Sequence, residues 1–417
     1  MTSAEAAAAR ELTIESVGAQ GDGLAPGAIF VPLTLPGERV LARVSADRAE
    51  LETLLTPSAD RVQPPCPQFG ECGGCALQHW SPEPYLAWKS EQIRLALGRE
   101  RIETEILAPF AARPGTRRRL ALHARREGGR VRLGFKARRS WRLVDIEVCP
   151  VSEPALVAAF PALRRLANAF FEHSKSAPTL HVTVTQTGLD VDVTGVERRS
   201  GGLSADGLGR AAEAAQAGDM ARVTLAGEII YQARQPTIQV GPATVALPAG
   251  SFLQAVAEAE QAMAAFTLEA LVGANRVADL FCGVGAFTFR LARQAQIYAA
   301  DSSAPAVRAL AAACASAPGL KTITAEARDL SRRPLLAAEM KKLDAVVFDP
   351  PRAGALEQSG EIGRSRAGRA IGVSCNPVTF ARDARILVDA GFTLREVKPV
   401  DQFLWSPHVE LVGVFVR

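Results

Sequence analysis

Residues 276–292 have the sequence "RVADLFCGVGAFTFRLA", and this stretch decides the fold class that we expect for the second half of the chain. An apolar run ends in a turn that contains Gly283 and Gly285, and a helix-like segment follows. Glycines in such a turn let the backbone approach a ligand closely, and the following helix offers a positive N-terminus. Many α/β turns carry two glycines, so the stretch predicts a strand–turn–helix unit without identifying its ligand.

Alternating strands and helices continue from this stretch to the end of the chain. Regular alternation predicts a mostly parallel, doubly wound sheet over residues 250–417, and ligands of such sheets lie at the carboxyl ends of the strands. The further strands are predicted in "AQIYAAD" (295–301), "LDAVVFDPP" (343–351), "RAIGVSCNP" (369–377) and "HVELVGVFVR" (408–417).

Acidic residues near three of the predicted strand ends favour an adenosyl cofactor. Asp301 follows the glycine turn by fewer than 20 residues, where a carboxylate accepts hydrogen bonds from both ribose hydroxyls, and Asp329 follows the next apolar stretch. NAD satisfies the first two features, the glycine turn and Asp301, equally well. "FDPPRAG" (348–354) favours a methyltransferase that modifies bases, because Asp349 and the prolines after it present a carboxylate and a rigid carbonyl to the polar edge of a flipped base.

A cysteine and a glutamate near two other strand ends indicate the chemistry. Cys375 is displayed where a strand ends in an Asn-Pro turn. Uracil C5 is a poor nucleophile, but a thiolate that adds to C6 converts the ring to an enolate, whose C5 then attacks a methyl sulfonium. A base must afterwards remove the C5 proton, and Glu410 in "SPHVELVGVF" (406–415) is the candidate. The alternatives are a packed small hydrophobe for Cys375 and a surface glutamate for Glu410.

Four cysteines in the first half of the chain form a candidate metal centre. "CPQFGECGGC" (66–75) holds Cys66, Cys72 and Cys75, and Cys149 comes later. Four thiolates suit tetrahedral zinc or a four-iron cluster, and their spacing alone leaves both open. We find no apolar core of a secretory signal, so we expect a cytoplasmic protein with reduced thiols. A thiol oxidoreductase is disfavoured because the 72/75 pair lies outside a thioredoxin-like βαβ context.

Positive charge is concentrated in one part of the chain. The protein carries a net charge of +4, but residues 113–142, here called the basic stripe, hold twelve Lys or Arg residues and one acid. Such a stripe indicates a polyanion such as RNA or DNA, with a solvated hairpin that binds nothing as the alternative. Arg117, Arg118 and Arg119 are its candidate phosphate contacts. Apolar runs are short and interrupted by charge, so we expect no membrane partner, and we expect a monomer.

The chain is divided into three predicted domains. Residues 12–44 alternate short strands with glycine-rich turns, which predicts a small β-barrel that ends in the polar stretch 45–61. An amphipathic helix is predicted over residues 84–99, and a basic sheet over residues 117–148. The predicted domains are a barrel (1–56), a central α+β domain (57–249) and the doubly wound domain (250–417).

Together these motifs resemble those of the RNA (uracil-5-)-methyltransferase family, and most of all its iron–sulfur members that act on 23S rRNA. "VSCNPVTFARD" (373–383) is similar to the family's nucleophile motif, and "HVELV" (408–412) to its base motif. "CPQFGECGGCALQH" (66–79), with Cys149, resembles the cysteines that hold a 4Fe–4S cluster in this family. The N-terminal stretch resembles the TRAM barrel. The resemblance implies a Rossmann-like class I methyltransferase domain that follows an OB-type, TRAM-like β-barrel and a central α+β iron–sulfur domain.

The resemblance also implies a set of cofactor contacts. "GSFLQAV" (250–256) resembles the segment in which a glutamine contacts S-adenosylmethionine. Three positions depart from the family pattern: Val256 replaces the usual Asn, Ala286 replaces Asn or Thr, and an aspartate replaces the usual Glu at the end of the second strand. The nucleophile and base motifs are intact. The residues expected to bind the cofactor are Gln254, Phe281, Gly283, Asp301, Asp329 and Asp349.

The function implied is methyl transfer from S-adenosylmethionine to C5 of a uridine in 23S rRNA, through a covalent adduct between a cysteine and uracil C6. The same chemistry on tRNA is the alternative for the substrate. A non-catalytic iron–sulfur protein that binds RNA is the alternative for the class of protein. The presence of both Cys375 and Glu410 argues against that second alternative.

Overall fold

The computed structural model describes residues 9–197 and 202–417 of the 417-residue chain. The first eight residues of the predicted barrel therefore lie outside the described part. Three larger β-sheets, a β-hairpin and the helices packed against them make up the architecture. Within the described residues, no helix is both long enough and apolar enough to cross a membrane.

The N-terminal strands form a six-stranded sheet around one apolar core. Its strands are β1 (Ala9–Thr13), β2 (Ser16–Val17), β3 (Gly23–Ala25), β4 (Ile29–Val31), β5 (Arg39–Ser45) and β6 (Arg48–Thr56). They pair in the order β1-β5-β6-β4-β3-β2. The polar stretch over residues 45–61 contains β6, which lies within the bounds predicted for the first domain (1–56). This part is a strand because Ala49 is buried and Leu51 and Leu54 pack against the core, while the residues between them face outward.

A long helix follows the cysteine-rich segment. This helix, α1 (Pro82–Arg99), begins two residues before the predicted start, and prolines suit its first turn because the N–H groups there need no partner. It buries Tyr85, Lys89 and Ile93. Two short strands come next, β7 (Glu105–Ile106) and β8 (Phe110–Ala111).

The central sheet has seven strands and is covered by helices. Its elements are β9 (Arg119–Glu127), β10 (Arg130–Lys136), β11 (Leu143–Asp145), α2 (Pro154–Ala158), α3 (Phe160–Asn168), β12 (Thr179–Thr185), β13 (Gly188–Thr194), α4 (Ala205–Ala217), β14 (Arg222–Leu225) and β15 (Glu228–Gln232). The strand order is β11-β10-β9-β12-β13-β14-β15, and only β13 and β14 pair in parallel. The predicted basic sheet over residues 117–148 is confirmed by β9, β10 and β11.

The last part of the chain forms the sheet that carries the predicted cofactor residues. Its elements are the hairpin β16 (Thr237–Val240) and β17 (Ala243–Ala246), then α5 (Ala257–Ala270), β18 (Arg276–Leu280), α6 (Thr288–Leu291), β19 (Gln296–Asp301), α7 (Ala304–Cys314), β20 (Ile323–Ala327), a 3₁₀ turn (Glu339–Lys342), β21 (Ala345–Phe348), α8 (Leu356–Arg364), β22 (Arg369–Ser374), α9 (Pro377–Asp389), β23 (Thr393–Asp401) and β24 (Glu410–Val416). The hairpin forms a separate two-stranded sheet. The main sheet has the order β20-β19-β18-β21-β22-β24-β23-β7, and β8 also pairs with β23.

This main sheet confirms the prediction of a mostly parallel, doubly wound α/β fold. Strands β18 to β22 pair in parallel, and β24 lies antiparallel between β22 and β23. Successive residues of one strand belong to opposite cores: Val277 packs with α5, α7 and the hairpin, whereas Ala278 packs with α1, α8 and α9. Both faces are therefore buried, as in parallel sheets generally. Strands β7 and β8 pair with this sheet, and α1 and the hairpin pack against its faces, although all four elements precede residue 250.

Candidate active site

The glycine turn after β18 is bent tightly and held by Asp301. Phe281, Gly283 and Gly285 have φ angles of 62°, 54° and 100°, which is the left-handed region. A Cβ atom at Gly285 would lie 2.6 Å from the ring of Phe289, so this position requires glycine. The N–H groups of Gly283 and Ser303 donate to the two carboxylate oxygens of Asp301, at 2.9 and 2.7 Å. Each oxygen keeps a lone pair for a further donor such as a ribose hydroxyl.

The helix expected after this turn is much shorter than predicted. Helix α6 contains only Thr288–Leu291, and the summed dipole of a single turn is small. The predicted positive helix N-terminus is therefore wrong. Thr288 instead donates from its hydroxyl to Asp279 at 2.5 Å.

Asp279 is a buried carboxyl group that the sequence prediction missed. It is fully buried in β18, and burial raises its pKa to about 7. Its Oδ1 atom has no hydrogen-bond partner among the described residues, which is uncommon for a buried polar atom. The sequence does mark Asp279 as unusual, because it is an acid inside the apolar run "VADLF" (277–281).

The remaining predicted cofactor residues lie at the same edge of the sheet. Asp329 follows β20, the parallel neighbour of β19, and accepts hydrogen bonds from the Ser331 backbone and hydroxyl, which lower the pKa of Asp329. Asp349 follows β21 and accepts from Gln254 Nε2 at 3.0 Å. Burial, together with the nearby Glu410 carboxylate, raises the pKa of Asp349 well above its usual range.

The candidate nucleophile and base face each other across paired strands. Ser374 at the end of β22 pairs with Leu411 in the antiparallel register, so Cys375 lies next to Glu410. Cys375 is half-buried and lines a cavity of about 160 Å³. Burial raises the pKa of the Cys375 thiol to about 11; the Glu410 carboxylate contributes to this rise and Arg352 opposes it. Burial also raises the pKa of Glu410, to about 7.

The turn after the thiol is fastened to the loop that contains Asp349. Asn376 accepts from the Val378 N–H at 3.1 Å and caps α9, and its amide donates to the carbonyl of Arg352 at 3.2 Å. The Thr379 hydroxyl donates to the same carbonyl at 3.2 Å. These bonds fix the position of Cys375 relative to Asp349 and explain why the thiol stands at a rigid turn.

A buried glutamine connects the candidate base to the candidate cofactor residues. Gln402 Nε2 donates to Glu410 Oε2 and to Gln254 Oε1, both at 2.7 Å. Its Oε1 accepts from the Ala255 N–H at 2.9 Å. Since Gln254 in turn donates to Asp349, hydrogen bonds run continuously from Glu410 to Asp349. The sequence prediction missed Gln402, because a glutamine in a loop carries no periodic signal.

Helix α1 holds the loop that leads to Glu410. Lys89 is fully buried; its ammonium group bonds to Asp401 and donates to the carbonyls of Phe403 and His408, at 3.2 and 2.6 Å. The Tyr85 hydroxyl donates to the other oxygen of Asp401 at 2.7 Å. A buried charge with a full set of partners fixes local geometry, and losing one partner is strongly destabilising. The sequence prediction also missed this anchor.

All four predicted cluster cysteines line one cavity. The cavity has a volume of about 290 Å³, and its other lining residues include Phe69, Phe135 and Ile146. Burial raises the pKa of Cys75 to about 12 and also raises the pKa values of Cys66 and Cys72. In the described part of the chain, no group of three or more His, Cys, Asp or Glu side chains is arranged to hold a metal ion. The four predicted cysteines thus line one cavity, but among the described residues they are not arranged as the ligands of a single metal ion.

The basic stripe has both structural and exposed members. Arg118 is buried; it bonds to Glu260 at 2.7 Å and to the Gln254 carbonyl at 3.0 Å. The prediction that Arg118 contacts phosphate is therefore wrong, since its guanidinium joins the central sheet to α5. Arg117 lies over the Phe403 ring at 5.9 Å, and Arg119 lies over a second phenylalanine ring, Phe252, at 5.0 Å.

The sequence of this chain is similar to those of known RNA methyltransferases. A family model described as tRNA (Uracil-5-)-methyltransferase matches residues 239–417. The chain is 64% identical over 414 residues to a protein of Caulobacter vibrioides described as an uncharacterized RNA methyltransferase, with 98% of this chain and 100% of that protein covered. It is 33% identical over 407 residues to the 23S rRNA (uracil(1939)-C(5))-methyltransferase of Aeromonas salmonicida, with 93% and 91% covered.

A solved structure shows the same fold. The tRNA (uracil-54, C5)-methyltransferase of Pyrococcus abyssi, in complex with S-adenosyl-L-homocysteine, superposes with a TM-score of 0.75 at 23% sequence identity. The match covers 98% of this chain and 100% of that chain. The likeness therefore extends over the whole architecture.

Proposed function

Because this chain belongs to the RNA (uracil-5-)-methyltransferase family, whose members use S-adenosylmethionine, we propose that it methylates C5 of a uridine in 23S rRNA through a covalent bond between Cys375 and uracil C6. The observation that carries the proposal is the position of Cys375 beside Glu410. Asp301 and Asp349 end other strands of the same sheet. The candidate nucleophile, the candidate base and the proposed cofactor residues thus share one edge of the sheet.

The proposed reaction begins with the thiol. The Sγ atom of Cys375 adds to C6 of the uracil while the thiol proton passes to solvent, because the raised pKa keeps the thiol protonated until the bond forms. The electrons of the C5–C6 double bond move into an enolate, whose C5 is the nucleophile for the methyl group. The Arg352 guanidinium stabilises the developing thiolate. S-adenosylmethionine, when bound, supplies the methyl group. Glu410 then takes the C5 proton, so that the C5–C6 double bond forms again and the Sγ–C6 bond breaks.

The residues that would hold S-adenosylmethionine are those predicted from the sequence. Asp301 has lone pairs available for ribose hydroxyls, and the unpartnered Oδ1 of Asp279 marks a polar position beside the glycine turn. The other proposed contacts come from Gln254, Phe281, Gly283, Asp329 and Asp349. Of the departures from the family pattern, Val256 is buried in the apolar core, so that position serves packing here.

We expect Gln402→Leu to impair the base and the cofactor site together. The variant removes the amide that donates to Glu410, and this hydrogen bond lowers the pKa of the Glu410 carboxyl. It also removes the hydrogen bond from Gln402 to Gln254 Oε1. The pH at which product release becomes half-maximal should therefore rise, and the KM for S-adenosylmethionine should increase. Single-turnover release measured across pH tests this. A uniform loss of rate with an unchanged pH profile would make Gln402 a packing residue only.

A second part of the proposal assigns a 4Fe–4S cluster to the cavity lined by Cys66, Cys72, Cys75 and Cys149. Four thiols around one largely apolar cavity suit a cofactor that is larger than a single ion, and iron–sulfur clusters are held by four such thiolates. Burial raises the pKa values of Cys66, Cys72 and Cys75, so iron would stabilise their thiolate forms. Structural zinc is the alternative.

Anaerobic purification should give a brown protein that contains iron and sulfide, and Cys72→Ser should lose both. Serine retains the volume but removes one of the four thiolates. Cys314→Ser is the matched control, because that half-buried cysteine lies on α7, outside the cavity. Metal analysis and the visible absorption spectrum are the measurements. Stoichiometric zinc without visible absorption would replace the cluster with a structural zinc site.

The substrate is tested by comparing two RNAs. The relative from Aeromonas salmonicida is named for 23S rRNA, whereas the family model and the Pyrococcus abyssi structure are named for tRNA. Our choice of 23S rRNA rests on that relative, which resembles nearly the whole chain, and on the four cysteines. Mapping 5-methyluridine in both RNAs from a deletion strain should show a loss in 23S rRNA. A loss confined to tRNA would transfer the same chemistry to the other substrate.

We also interpret the N-terminal sheet as an OB-type, TRAM-like module that contacts RNA. Ala19 and Gln20, in the turn between β2 and β3, line the same cavity as Cys375. RNA that places a uridine at Cys375 would therefore pass this turn.

Two further members of the basic stripe, the half-buried Arg125 and the exposed Arg132, supply a prediction about affinity. Arg125 on β9 lies directly opposite Arg132 on β10, and Glu127, 3.2 Å from Arg132, offsets only one of these two like charges. Arg125→Ala with Arg132→Ala should weaken RNA binding and flatten its salt dependence by up to about 1.4 log units, at ~0.7 for each single-strand phosphate contact. Arg395→Ala, on β23, is the control. An unchanged slope would leave the stripe as a solvated face.

A further inference from the structure

One tryptophan stands apart from the others in its exposure. Trp141 is 78% exposed, whereas Trp80 and Trp88 are buried. It lies in the turn between β10 and β11, within the basic stripe. The Lys136 ammonium is 3.9 Å from the centroid of its ring. A cation on an exposed indole ring is a favourable cation–π arrangement, and most of the remaining ring surface faces solvent.

The turn that presents Trp141 is held firmly from both sides. Arg138 and Arg139 both pair with Asp22, at 2.9 and 2.8 Å, and Asp22 is fully buried in the N-terminal sheet domain. On the other side, the Gly73 N–H donates to the Lys136 carbonyl at 3.0 Å. These contacts hold the turn that carries Trp141 in place between the N-terminal sheet and the cysteine-rich segment.

The same turn contacts a residue that lines the cavity of the candidate nucleophile. Arg138 Nη2 donates to the backbone carbonyl of Gln20 at 2.6 Å, and Gln20 lines the cavity that contains Cys375. Arg138 also lines a shallow depression together with Lys136, Arg139 and Trp141. A strand of RNA that leaves the catalytic cavity past Gln20 therefore meets this basic surface next.

We propose that Trp141 is a stacking platform for an unpaired base of the RNA strand that carries the target uridine. The inference rests on the proposed function and extends it to the nucleotides beside the target. A uridine extruded for chemistry leaves its neighbours unstacked, and aromatic side chains next to cations bind such bases with little sequence preference. The positive charges of Lys136 and Arg139 complement the phosphates of that strand.

The test compares two ligands of equal charge, fluorescein-labelled oligouridylate of about 12 nucleotides and the corresponding abasic oligomer. Trp141→Ala should weaken binding of oligouridylate by roughly 5- to 150-fold, the effect of losing one stacked base. Trp141→Phe should remain close to the unmodified protein, because phenylalanine keeps a stacking face. All variants should bind the abasic oligomer equally, since it has no base to stack.

Further measurements separate this proposal from its alternatives. Ile229→Ala removes an exposed apolar side chain from β15 and should change neither affinity. Unchanged oligouridylate binding by Trp141→Ala, or an equal loss for both oligomers, would overturn the proposal. A concentration-dependent mass that only Trp141→Ala abolishes would assign the surface to protein contacts instead. Covalent trapping of 5-fluorouridine RNA at saturating concentration should be the same in Trp141→Ala, so failure of the platform is distinguishable from failure of the catalytic proposal.

Discussion

Cys375→Ala should abolish methyl transfer and leave S-adenosylmethionine binding intact. Alanine has no nucleophile for uracil C6, so C5 is never activated. The residues proposed to bind the cofactor follow other strands, and their hydrogen bonds do not involve the thiol. Transfer of labelled methyl groups to RNA and calorimetric titration with the cofactor measure the two properties separately.

The same variant should also fail to trap 5-fluorouridine RNA. Fluorine at C5 cannot leave as a proton, so the unmodified enzyme should remain covalently attached after methyl transfer, and the complex should survive denaturing electrophoresis. Cys314→Ala is the matched control and should trap RNA normally, since Cys314 lies on α7 away from the site. Methylation by the Cys375→Ala variant would show that the thiol mechanism is wrong.

Glu410→Gln should permit addition and methyl transfer but slow product release by ~10²–10⁴-fold, the usual contribution of a general base. Glutamine keeps the shape of the side chain and can still accept the hydrogen bond from Gln402. The C5 proton then has no acceptor, and a covalent complex should accumulate on ordinary RNA. Normal release would assign the base to another residue.

The pH dependence of product release provides a second test of Glu410 as the base. Burial raises the pKa of Glu410 to about 7, and only the ionised carboxylate accepts a proton. Release by the unmodified enzyme should therefore rise with pH through neutrality and level off above it. The Glu410→Gln variant should lack this rise. The stability of the fold has the opposite pH dependence: because the pKa of Glu410 is raised from 4.5 to about 7 in the folded protein, stability falls as pH rises from 4.5 to about 7, and the loss is complete above that.

Local patterns in the sequence were sufficient to predict the α/β domain. Its parallel strands are buried on both faces, so β21 and the apolar part of β22 appear as unbroken apolar runs followed by a polar residue. The same ends supply Asp301, Asp349 and Cys375, which is why candidate site residues could be chosen before the fold was known. The antiparallel insertion of β24 beside β22 places Glu410 near the thiol, and this follows from strand order rather than from any local motif.

Other features depend on contacts between distant segments and could not be predicted. Arg118 has the sequence context of a phosphate-binding residue, but its partner Glu260 lies 142 positions away. Lys89 and Asp401 are separated by 312 positions, and nothing local marks Lys89 as fully buried. Gln402 acquires its importance only when Gln254 and Glu410 come within hydrogen-bond distance of its amide.

The covalent complex that Glu410→Gln forms with total cellular RNA shows whether Cys375 bonds to a uridine of 23S rRNA. The complex is isolated under denaturing conditions, digested with nuclease and protease, and analysed by mass spectrometry. We expect a peptide whose Cys375 carries a C5-methylated uridine nucleotide, and RNA fragments that derive from 23S rRNA. A nucleotide attached to any other residue, or attached to Cys375 without the methyl group, would show that this mechanism is wrong.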